Sequence, residues 1–252
     1  MGDVNDTESF LDDLYHFANE EPVISTKRQT CQRCCRPLSV CWCPYLPREP
    51  IQLSTSVYVL QHPFEDNQCL RTGPMLYHSL PPGKCHIIRG KRFSPEKYPE
   101  LASVMKAPNT ILLYPGVDAI DICDLSHLPD GQDIGYNLVL LDGTWAQARG
   151  LYHQNAMVKW PQKVQINSGM ISKYVIRTQP TDVCLSTVES AAVALSFLEK
   201  KPQIIDILTK PLEALCQFQL DHGAQKHQSK EYLIKNGLYK RKVKSSRIKD
   251  AH

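Results

Sequence analysis

The sequence of 252 residues lacks any apolar run that approaches the length of a membrane-spanning helix. It also lacks a secretory signal, because the N-terminus MGDVNDTESF has neither a basic n-region nor an apolar h-region. We therefore expect a protein of the cytoplasm and the nucleus that does not bind a membrane. Glutathione keeps thiols reduced in these compartments, so the ten cysteines are not expected to form disulfides.

A large excess of charge is absent too. The formal net charge of +3 is too small to indicate a nucleic-acid partner by itself. Residues 1–22 carry seven acidic residues and no Lys or Arg, whereas residues 240–249 carry six Lys or Arg and no acidic residue. We expect solvated tails at both ends. The basic tail fits phosphate contacts or a nuclear import signal, and it fits a merely solvated terminus equally well.

Short apolar runs alternate with helix-like segments in the middle of the chain. These runs are continuous and each leads to a helix, which is typical of a mostly parallel sheet with helices on both faces. The sequence thus predicts an α/β fold. Predicted strands lie at residues 56–61, 86–89, 110–114, 138–141, 164–167, 174–177 and 184–185. Predicted helices lie at residues 67–80, 95–106, 144–155, 186–200, 202–222 and 230–236.

Four parts are expected along the chain. Residues 1–30 form an acidic tail, in which residues 10–17 fit either a short helix or a disordered segment. Residues 31–50 form a cysteine module followed by a proline-rich linker. Residues 51–238 form the α/β domain, and residues 239–252 form the basic tail.

Five of the ten cysteines fall between residues 31 and 43. Two close pairs, separated by a short loop with a proline, can place four thiolates around one tetrahedral ion, which predicts a structural zinc site. The predicted ligands are Cys31, Cys34, Cys41 and Cys43. Cys35 is the spare, because adjacent residues rarely both point at one metal. Inert thiols and a redox C-x-x-C pair remain alternatives, although a redox pair usually opens a helix and the nearby Pro37 does not suit one.

Three predicted strands run into loops that can bind a ligand. The sequences YPG, DGT and STVE follow residues 113, 141 and 185, and the carboxyl ends of parallel strands lie together beside the crevice where ligands bind. Gly116 and Gly143 allow either close approach of a ligand or a tight turn. Ser186 and Glu189 form an S-x-x-E capping box, which by itself need only cap the following helix.

Seven motifs connect these features to a known family. In chain order they are CQRC…CWCP, YVLQHPFEDN, LRTGPML, LLYPG, LLDGTWAQAR, SKYVIRTQP and CLSTVESAAVALSFLE. With them the chain resembles the DTW-domain family, and more closely the eukaryotic tRNA-uridine aminocarboxypropyltransferases within it. The resemblance extends over about residues 31–239. The D-x-T-W tetrapeptide alone is short, but seven motifs in one order are specific.

The resemblance implies a SPOUT-like fold whose C-terminal knot grips S-adenosylmethionine. It also implies transfer of the 3-amino-3-carboxypropyl group to N3 of a uridine in the tRNA D-loop, with release of methylthioadenosine. The four cysteine ligands match the family's zinc module, whereas Cys35 lies outside its pattern. The residues that match the catalytic signature are Asp142, Thr144 and Trp145. The residues that match the cofactor-binding loops are Leu113, Tyr114, Pro115, Gly116, Asp142, Gly143, Leu185, Ser186, Thr187 and Glu189.

Individual roles within this site have two interpretations each. Asp142 is either the base that removes the uridine N3 proton or a cap for the helix that follows. Trp145 either stacks on a base or anchors the helix by packing, and packing is favoured. Arginine side chains can bind the cofactor carboxylate or RNA phosphates, or form surface ion pairs. These candidates are Arg71, Arg149 and Arg177, and further site candidates are His62 and Glu65.

Other functions also fit parts of the sequence. A SPOUT-like RNA methyltransferase would use the same cofactor, and a non-catalytic RNA-binding module would need only the zinc site and the basic tail. A thiol oxidoreductase would use Cys31 and Cys34. A monomer is favoured, with tRNA and S-adenosylmethionine as partners.

Overall fold

The computed structural model describes residues 28–66, 68–125, 135–167 and 169–239. The basic tail from residue 240 and the segment 10–17 lie outside these residues, as does most of the acidic tail. None of the described helices is long and apolar enough to cross a membrane.

Six strands form one sheet in the described part of the chain, and every neighbouring pair is parallel. They are β1 (Ser56–Gln61), β2 (Cys85–Arg89), β3 (Thr110–Leu113), β4 (Ile120–Asp121), β5 (Asn137–Asp142) and β6 (Gln162–Gln165). Their order across the sheet is β2-β1-β5-β3-β6-β4. The predicted mostly parallel α/β sheet is confirmed.

Helices cover both faces of this sheet. They are α1 (Gly73–Ser79), α2 (Pro99–Lys106), α3 (Trp145–Gln154), α4 (Thr187–Leu198), α5 (Ile204–Asp221) and α6 (Lys230–Lys235). Apolar residues of α1, α4 and α5 belong to one core cluster, and those of α2 and α3 belong to a second. The helix layers on both faces are therefore as predicted.

The central strand β5 contributes to both cores. Leu138 and Leu140 pack in the first cluster and Val139 packs in the second, because successive side chains of a strand point to opposite faces. Each of these three side chains is almost completely buried, and burial of one such side chain stabilises the fold by about 1.5–3 kcal/mol. A continuous aliphatic run is required here because neither face of the strand meets water.

Two predicted strands are wrong. Residues 174–177 and 184–185 belong to a loop that joins β6 to α4. Tyr174 and Ile176 are buried against the first core cluster, and the Tyr174 hydroxyl donates to the carbonyl oxygen of Leu70 at 2.5 Å. Short apolar runs predict burial, but they do not distinguish a strand from a loop that packs on the core.

Smaller differences concern the ends of elements. The helix predicted from residue 67 begins only at Gly73, with Pro74 in its first turn, where the missing amide hydrogen costs no bond. The helix predicted from residue 95 begins at Pro99 for the same reason. The two-residue strand β4 has too few residues to leave a sequence signal.

Candidate functional site

A cavity of about 620 Å³ opens at the carboxyl ends of β3 and β5. Its volume lies in the usual range for small-molecule sites, about 300–1,000 Å³. Its walls also come from the turn after β1 and from the long loop before α4. The predicted site residues that line it are Leu113, Tyr114, Pro115, Asp142, Gly143, Thr144, Trp145, Leu185, Ser186 and Thr187. Gly116 and Glu189 do not line it.

Asp142 ends β5 with a buried carboxylate that connects three elements. Its Oδ2 accepts a hydrogen bond from Nε2 of Gln61 at 2.7 Å, and its Oδ1 accepts one from Oγ1 of Thr187 at 2.6 Å. Gln61 is the last residue of β1, and Thr187 is the first residue of α4. The carboxylate thus fixes the positions of two strand ends and one helix terminus at the cavity wall.

The interpretation of Asp142 as a helix cap is wrong. Thr144 caps α3, because its hydroxyl accepts from the Gln147 amide at 3.3 Å while the Gln147 side chain accepts from the Thr144 amide at 2.7 Å. Gly143 makes room for this exchange, since a Cβ there would lie 3.0 Å from the Gln147 side chain. The Asp142 side chain is directed away from α3 and remains available on the cavity wall.

Trp145 stands in the first turn of α3 with 43% of its surface exposed. The helix packs on the core through Ala148 and Leu151 instead. The favoured interpretation of Trp145 as a packing anchor is therefore wrong, because the ring lies at the cavity and not in the core. An exposed indole beside a cavity is available for stacking on a planar ligand.

Tyr114 forms the facing wall at the end of β3. Its ring stacks on the ring of Tyr152, with centroids 4.3 Å apart and an interplanar angle of 12°. Burial raises the pKa of the Tyr114 hydroxyl. Gly116 lies just beyond this wall, where its amide donates to Oε1 of Gln165 at 3.4 Å. The glycine therefore serves the turn after β3.

Glu189 stabilises the loop before α4 and does not line the cavity. Its side chain is fully buried, and one carboxylate oxygen accepts from the amide and the hydroxyl of Ser186 at 2.7 and 2.6 Å. The carboxylate also accepts from the Ser172 hydroxyl and from the Lys173 amide. The predicted capping box is confirmed. Glu189 thereby binds the loop before α4 to the first turn of that helix and is not placed to touch a ligand.

The sulfur atoms of Cys31, Cys34, Cys41 and Cys43 all lie within 4.8 Å of one another. Four thiolates at the usual zinc–sulfur distance of about 2.3 Å place their sulfurs about 3.8 Å apart, so this donor set fits a tetrahedral zinc ion. The Cys31–Cys43 pair at 3.7 Å and the Cys34–Cys41 pair at 3.6 Å match that spacing. Cys35 is exposed in a left-handed conformation and lies outside the cluster.

The backbone around Cys31 favours the thiolate that a metal requires. The amides of Cys34 and Arg33 donate to its sulfur and lower its pKa to about 6, whereas burial raises the pKa of Cys41 and Cys43. Arg36 fastens the module to the α/β domain, since Nη1 donates to the carbonyl oxygen of Cys69 at 2.8 Å. The ring of Trp42 is buried in the first core cluster. The cysteine module is therefore packed on the domain near the segment that leads into α1.

The DTW domain matches residues 28–220 of this sequence. This match contains the cysteine cluster and every residue that lines the cavity except Lys230.

The chain belongs to the DTW-domain family.

Curated relatives agree over most of the chain. The sequence is 46% identical to a tRNA-uridine aminocarboxypropyltransferase 2 of Macaca fascicularis, over 91% of this chain and 77% of the relative. It is 47% identical to the protein of that name from Mus musculus, over 88% and 74% of the two chains. It is 43% identical to the protein of that name from Drosophila melanogaster, over 92% and 90%. No solved structure matches the chain.

The DTW-domain cavity contains a second buried carboxylate besides Asp142. Glu65 ends the short 3-10 turn after β1, lines the cavity and lies with Oε1 3.6 Å from Nη2 of Arg177. Burial raises the pKa of Glu65, and the nearby charge of Asp142 adds to this, whereas Arg177 and the Thr144 amide act in the opposite direction. The motif QHPFED allowed Glu65 to be predicted as a site residue, because the motif follows the carboxyl end of β1, where ligands bind.

The remaining polar candidates differ in whether they line the cavity. Arg71 and Arg177 line the cavity, whereas Arg149 and His62 do not. The Nη1 atom of Arg71 donates to the carbonyl oxygen of Asp66 at 2.6 Å and pairs with its carboxylate. The ring of His62 accepts from the Phe64 amide, and burial lowers its pKa.

Lys230 lines the cavity from the start of α6, which the sequence did not predict. Its amide donates to the carbonyl oxygen of Gln179 at 2.9 Å, and the neighbouring Glu231 amide donates to that of Pro180 at 3.0 Å. These backbone bonds attach the C-terminal segment to the loop before α4. No sequence pattern identifies such a contact, because the partners lie about fifty residues apart and pair through the backbone alone.

Proposed function

We propose that this DTW-domain protein transfers the 3-amino-3-carboxypropyl group of S-adenosylmethionine to N3 of a uridine in the tRNA D-loop, and that methylthioadenosine leaves. The names of its relatives support this reaction, at 43% to 47% identity over most of the chain. The observation that carries the proposal is the convergence of the DGTW motif, two buried carboxylates and two arginines on one cavity.

The sulfonium of the donor activates three carbons towards attack, so orientation in the cavity selects which group is transferred. The chain must therefore hold the aminocarboxypropyl carbon towards the uracil and keep the methyl group against its wall. The apolar ends of β3 and β5, Leu113 and Leu141, supply such a wall. Trp145, exposed beside them, is placed to stack on the uracil or the adenine ring.

Asp142 is the proposed acceptor of the uridine N3 proton. Its two oxygens accept one side-chain hydrogen bond each, from Gln61 and Thr187, and a carboxylate has about four lone-pair sites. A lone pair therefore remains for the substrate while the two donors hold the group still. As N3 attacks the carbon, its proton passes to Asp142, and the carbon–sulfur bond breaks to give a neutral thioether.

The close approach of the sulfur atoms of Cys31, Cys34, Cys41 and Cys43, all within 4.8 Å of one another, supports a structural zinc ion. With four thiolates the ion would have no open position, so it holds the module on the domain and takes no part in the transfer. The fit argues against an isolated redox pair, because the Cys31 sulfur lies 3.7 Å from that of Cys43 and the Cys34 sulfur lies 3.6 Å from that of Cys41.

The fold and partners complete the proposal. The loop between β6 and α4 lies at the carboxyl ends of the strands, where a SPOUT-like knot would enclose the donor. Lys91, just after β2, and the basic residues 240–249 are the proposed contacts for tRNA phosphates. We also propose a monomer that works in the cytoplasm and the nucleus.

The test uses purified protein, unmodified tRNA and two labelled donors. Label in the carboxypropyl group is expected to enter the RNA, while label in the methyl group stays in methylthioadenosine. Transfer of the methyl label instead would identify an RNA methyltransferase. Transfer of neither label, with no thermal stabilisation by S-adenosylmethionine, would indicate a non-catalytic RNA-binding module.

A further inference from the structure

Two opposite charges face the cavity as a loosely joined pair. Oε1 of Glu65 lies 3.6 Å from Nη2 of Arg177, which is longer than a charge-assisted hydrogen bond of about 2.7–2.9 Å. The Glu65 side chain is only 4% exposed, whereas Arg177 is 35% exposed. Both side chains therefore keep hydrogen-bonding capacity that their mutual contact does not use.

The other charged side chains on the cavity wall have another role or partner, or lie at its edge. Asp142 accepts from Gln61 and Thr187 and is the proposed acceptor of the uridine proton, whereas Arg71 is bonded to Asp66 through a carbonyl and a carboxylate oxygen. Lys230 is exposed. Of the charged residues that line the cavity in the described part of the chain, Glu65 and Arg177 thus form the buried or half-buried pair of opposite charges, with the Thr144 amide and the Tyr174 hydroxyl as their further neighbours.

We infer that Glu65 and Arg177 together recognise the α-amino-acid end of the donor, with the Glu65 carboxylate on its ammonium group and the Arg177 guanidinium on its carboxylate. The inference rests on the proposed function. An α-amino acid carries its two opposite charges on one carbon, so it can insert into a pair of opposite charges a few ångströms apart. The planar guanidinium matches a carboxylate with two parallel hydrogen bonds.

Such recognition would determine the product as well as the affinity. When both charged groups of the amino-acid end are held, the carbon atoms that join this end to the sulfonium of the donor have a fixed direction. The carbon that reacts then has a fixed position in the cavity. The two residues come from the turn after β1 and the loop before α4, and both line the cavity together with Asp142. The anchored end would therefore present the carbon near the proposed proton acceptor. Glu65 and Arg177 act here as substrate-binding residues.

Calorimetric titration with three nucleosides tests the assignment without a turnover step. They are S-adenosylmethionine, its decarboxylated analogue, which keeps only the amine, and methylthioadenosine, which lacks both charged groups. Arg177→Met is expected to weaken the binding of S-adenosylmethionine about ten- to hundredfold and to leave the affinity for the decarboxylated analogue unchanged. Glu65→Gln is expected to weaken the binding of S-adenosylmethionine and of its decarboxylated analogue by a similar factor, because both carry the amine. The affinity for methylthioadenosine is expected to stay unchanged.

A second ion pair provides the control variants. Lys173 and Glu213 lie 2.6 Å apart outside the cavity lining, so Lys173→Met and Glu213→Gln remove the same charges elsewhere and are expected to change none of the three affinities. Unchanged binding of methylthioadenosine in the cavity variants confirms that they are folded. Equal weakening of all three nucleosides by Glu65→Gln would overturn the inference, because the residue would then only support the wall.

Two further results separate this inference from the function on which it rests. If Glu65→Gln keeps full affinity for S-adenosylmethionine but transfers slowly, the residue acts in proton transfer and the inference is wrong while the function stands. If the unmodified protein binds methylthioadenosine and S-adenosylmethionine equally, the pair does not recognise the amino-acid end. If it binds none of the three nucleosides, both the inference and the proposed donor fail.

Discussion

Oδ1 of Asp142 accepts a hydrogen bond from the Thr187 hydroxyl at 2.6 Å, which connects the end of β5 to the first residue of α4. The same carboxylate holds Gln61 at the end of β1. The D of the DGTW motif therefore organises the cavity, whichever further role it has with a substrate.

Thr187→Val is expected to lower the free energy of unfolding by about 1–3 kcal/mol, because it removes a donor from a buried carboxylate and keeps the shape of the side chain. Urea unfolding measures the loss. Thr187→Ser retains the hydroxyl and is the matched control, with an expected change well below that of the valine variant. Equal stability of the valine variant and the natural protein would show that this bond does not support the site.

Asp142→Asn is expected to lower the transfer rate by about 100- to 10,000-fold, which is the usual contribution of a proton acceptor. Its effect on folding is expected to be small. The side-chain amide introduced by this substitution can still accept from Thr187, and Gln61 can rotate its own amide to offer Oε1, which has no hydrogen-bond partner among the described residues. Single-turnover rates and urea unfolding separate the two effects. Unchanged turnover in a folded variant would remove Asp142 as the base.

Sequence patterns were sufficient to predict the central strands β1, β3 and β5 but not the contacts between their ends. β1, β3 and β5 could be predicted because both faces of each strand are buried, which requires continuous apolar runs. The partners of Asp142 could not be predicted, since Gln61 and Thr187 lie 81 and 45 residues away in the chain. Only the parallel sheet brings them together.

The strand predicted at residues 174–177 is wrong for a related reason. Its apolar residues Tyr174 and Ile176 are buried, as expected from their character. They belong to a loop, however, and their backbone does not pair with a strand of the sheet. The Val175 carbonyl oxygen accepts from the His227 amide at 2.7 Å. Composition predicts that a segment is buried, whereas its hydrogen-bond partners depend on the path of a distant part of the chain.

Trp145→Ala is expected to weaken tRNA binding by about 1–3 kcal/mol if the ring stacks on a base, and to leave stability almost unchanged because the ring is exposed. Leu151→Ala on the same helix is the contrasting variant. Leu151 is buried, so its truncation is expected to cost about 2–5 kcal/mol of stability. Fluorescence titration with tRNA and urea unfolding provide both readouts. Loss of stability without loss of RNA affinity in Trp145→Ala would contradict the stacking role.

Cys34→Ser is expected to abolish zinc binding and to lower the melting temperature, because a structural site loses one of four ligands. Cys35→Ser is the control, since Cys35 is exposed and outside the cluster, and it is expected to retain one zinc ion per chain. Metal analysis of the purified variants and melting with and without a chelator measure the effect. Equal metal content in both variants would exclude the four-cysteine site.

Glu65→Gln is expected to raise the melting temperature of the free protein or leave it unchanged at neutral pH. Burial raises the pKa of Glu65, so folding favours its protonated form, and the cost of its charge is fully present above the folded pKa. That cost disappears as the pH falls below the ordinary glutamate pKa. The natural protein should therefore gain stability from this group on acidification, and Glu65→Gln should lose that gain. Melting curves across this pH range measure the difference, and an unfolding midpoint lowered at neutral pH would contradict the burial argument.

The binding of S-adenosylmethionine should show the opposite dependence on pH. An ionised Glu65 is required for the ammonium group, so affinity should begin to fall at a higher pH than the ordinary glutamate value, because the pKa of this group is raised. The groups that face Glu65 are Arg177, Asp142, the Tyr174 hydroxyl and the Thr144 amide. Because the charge of Asp142 helps to raise the pKa of Glu65, Asp142→Asn is expected to move the transition to lower pH. A transition that survives in Glu65→Gln would assign it to another group.

We propose that the cavity at the ends of β3 and β5 is the site where an aminocarboxypropyl group is transferred to a tRNA uridine. The most direct test is nucleoside mass analysis of an unmodified tRNA after incubation with S-adenosylmethionine and the purified protein. We expect a uridine that is heavier by one aminocarboxypropyl group, formed by the natural protein and almost absent with Asp142→Asn. A uridine heavier by a methyl group, or an unchanged uridine from a protein that binds both donor and tRNA, would contradict it.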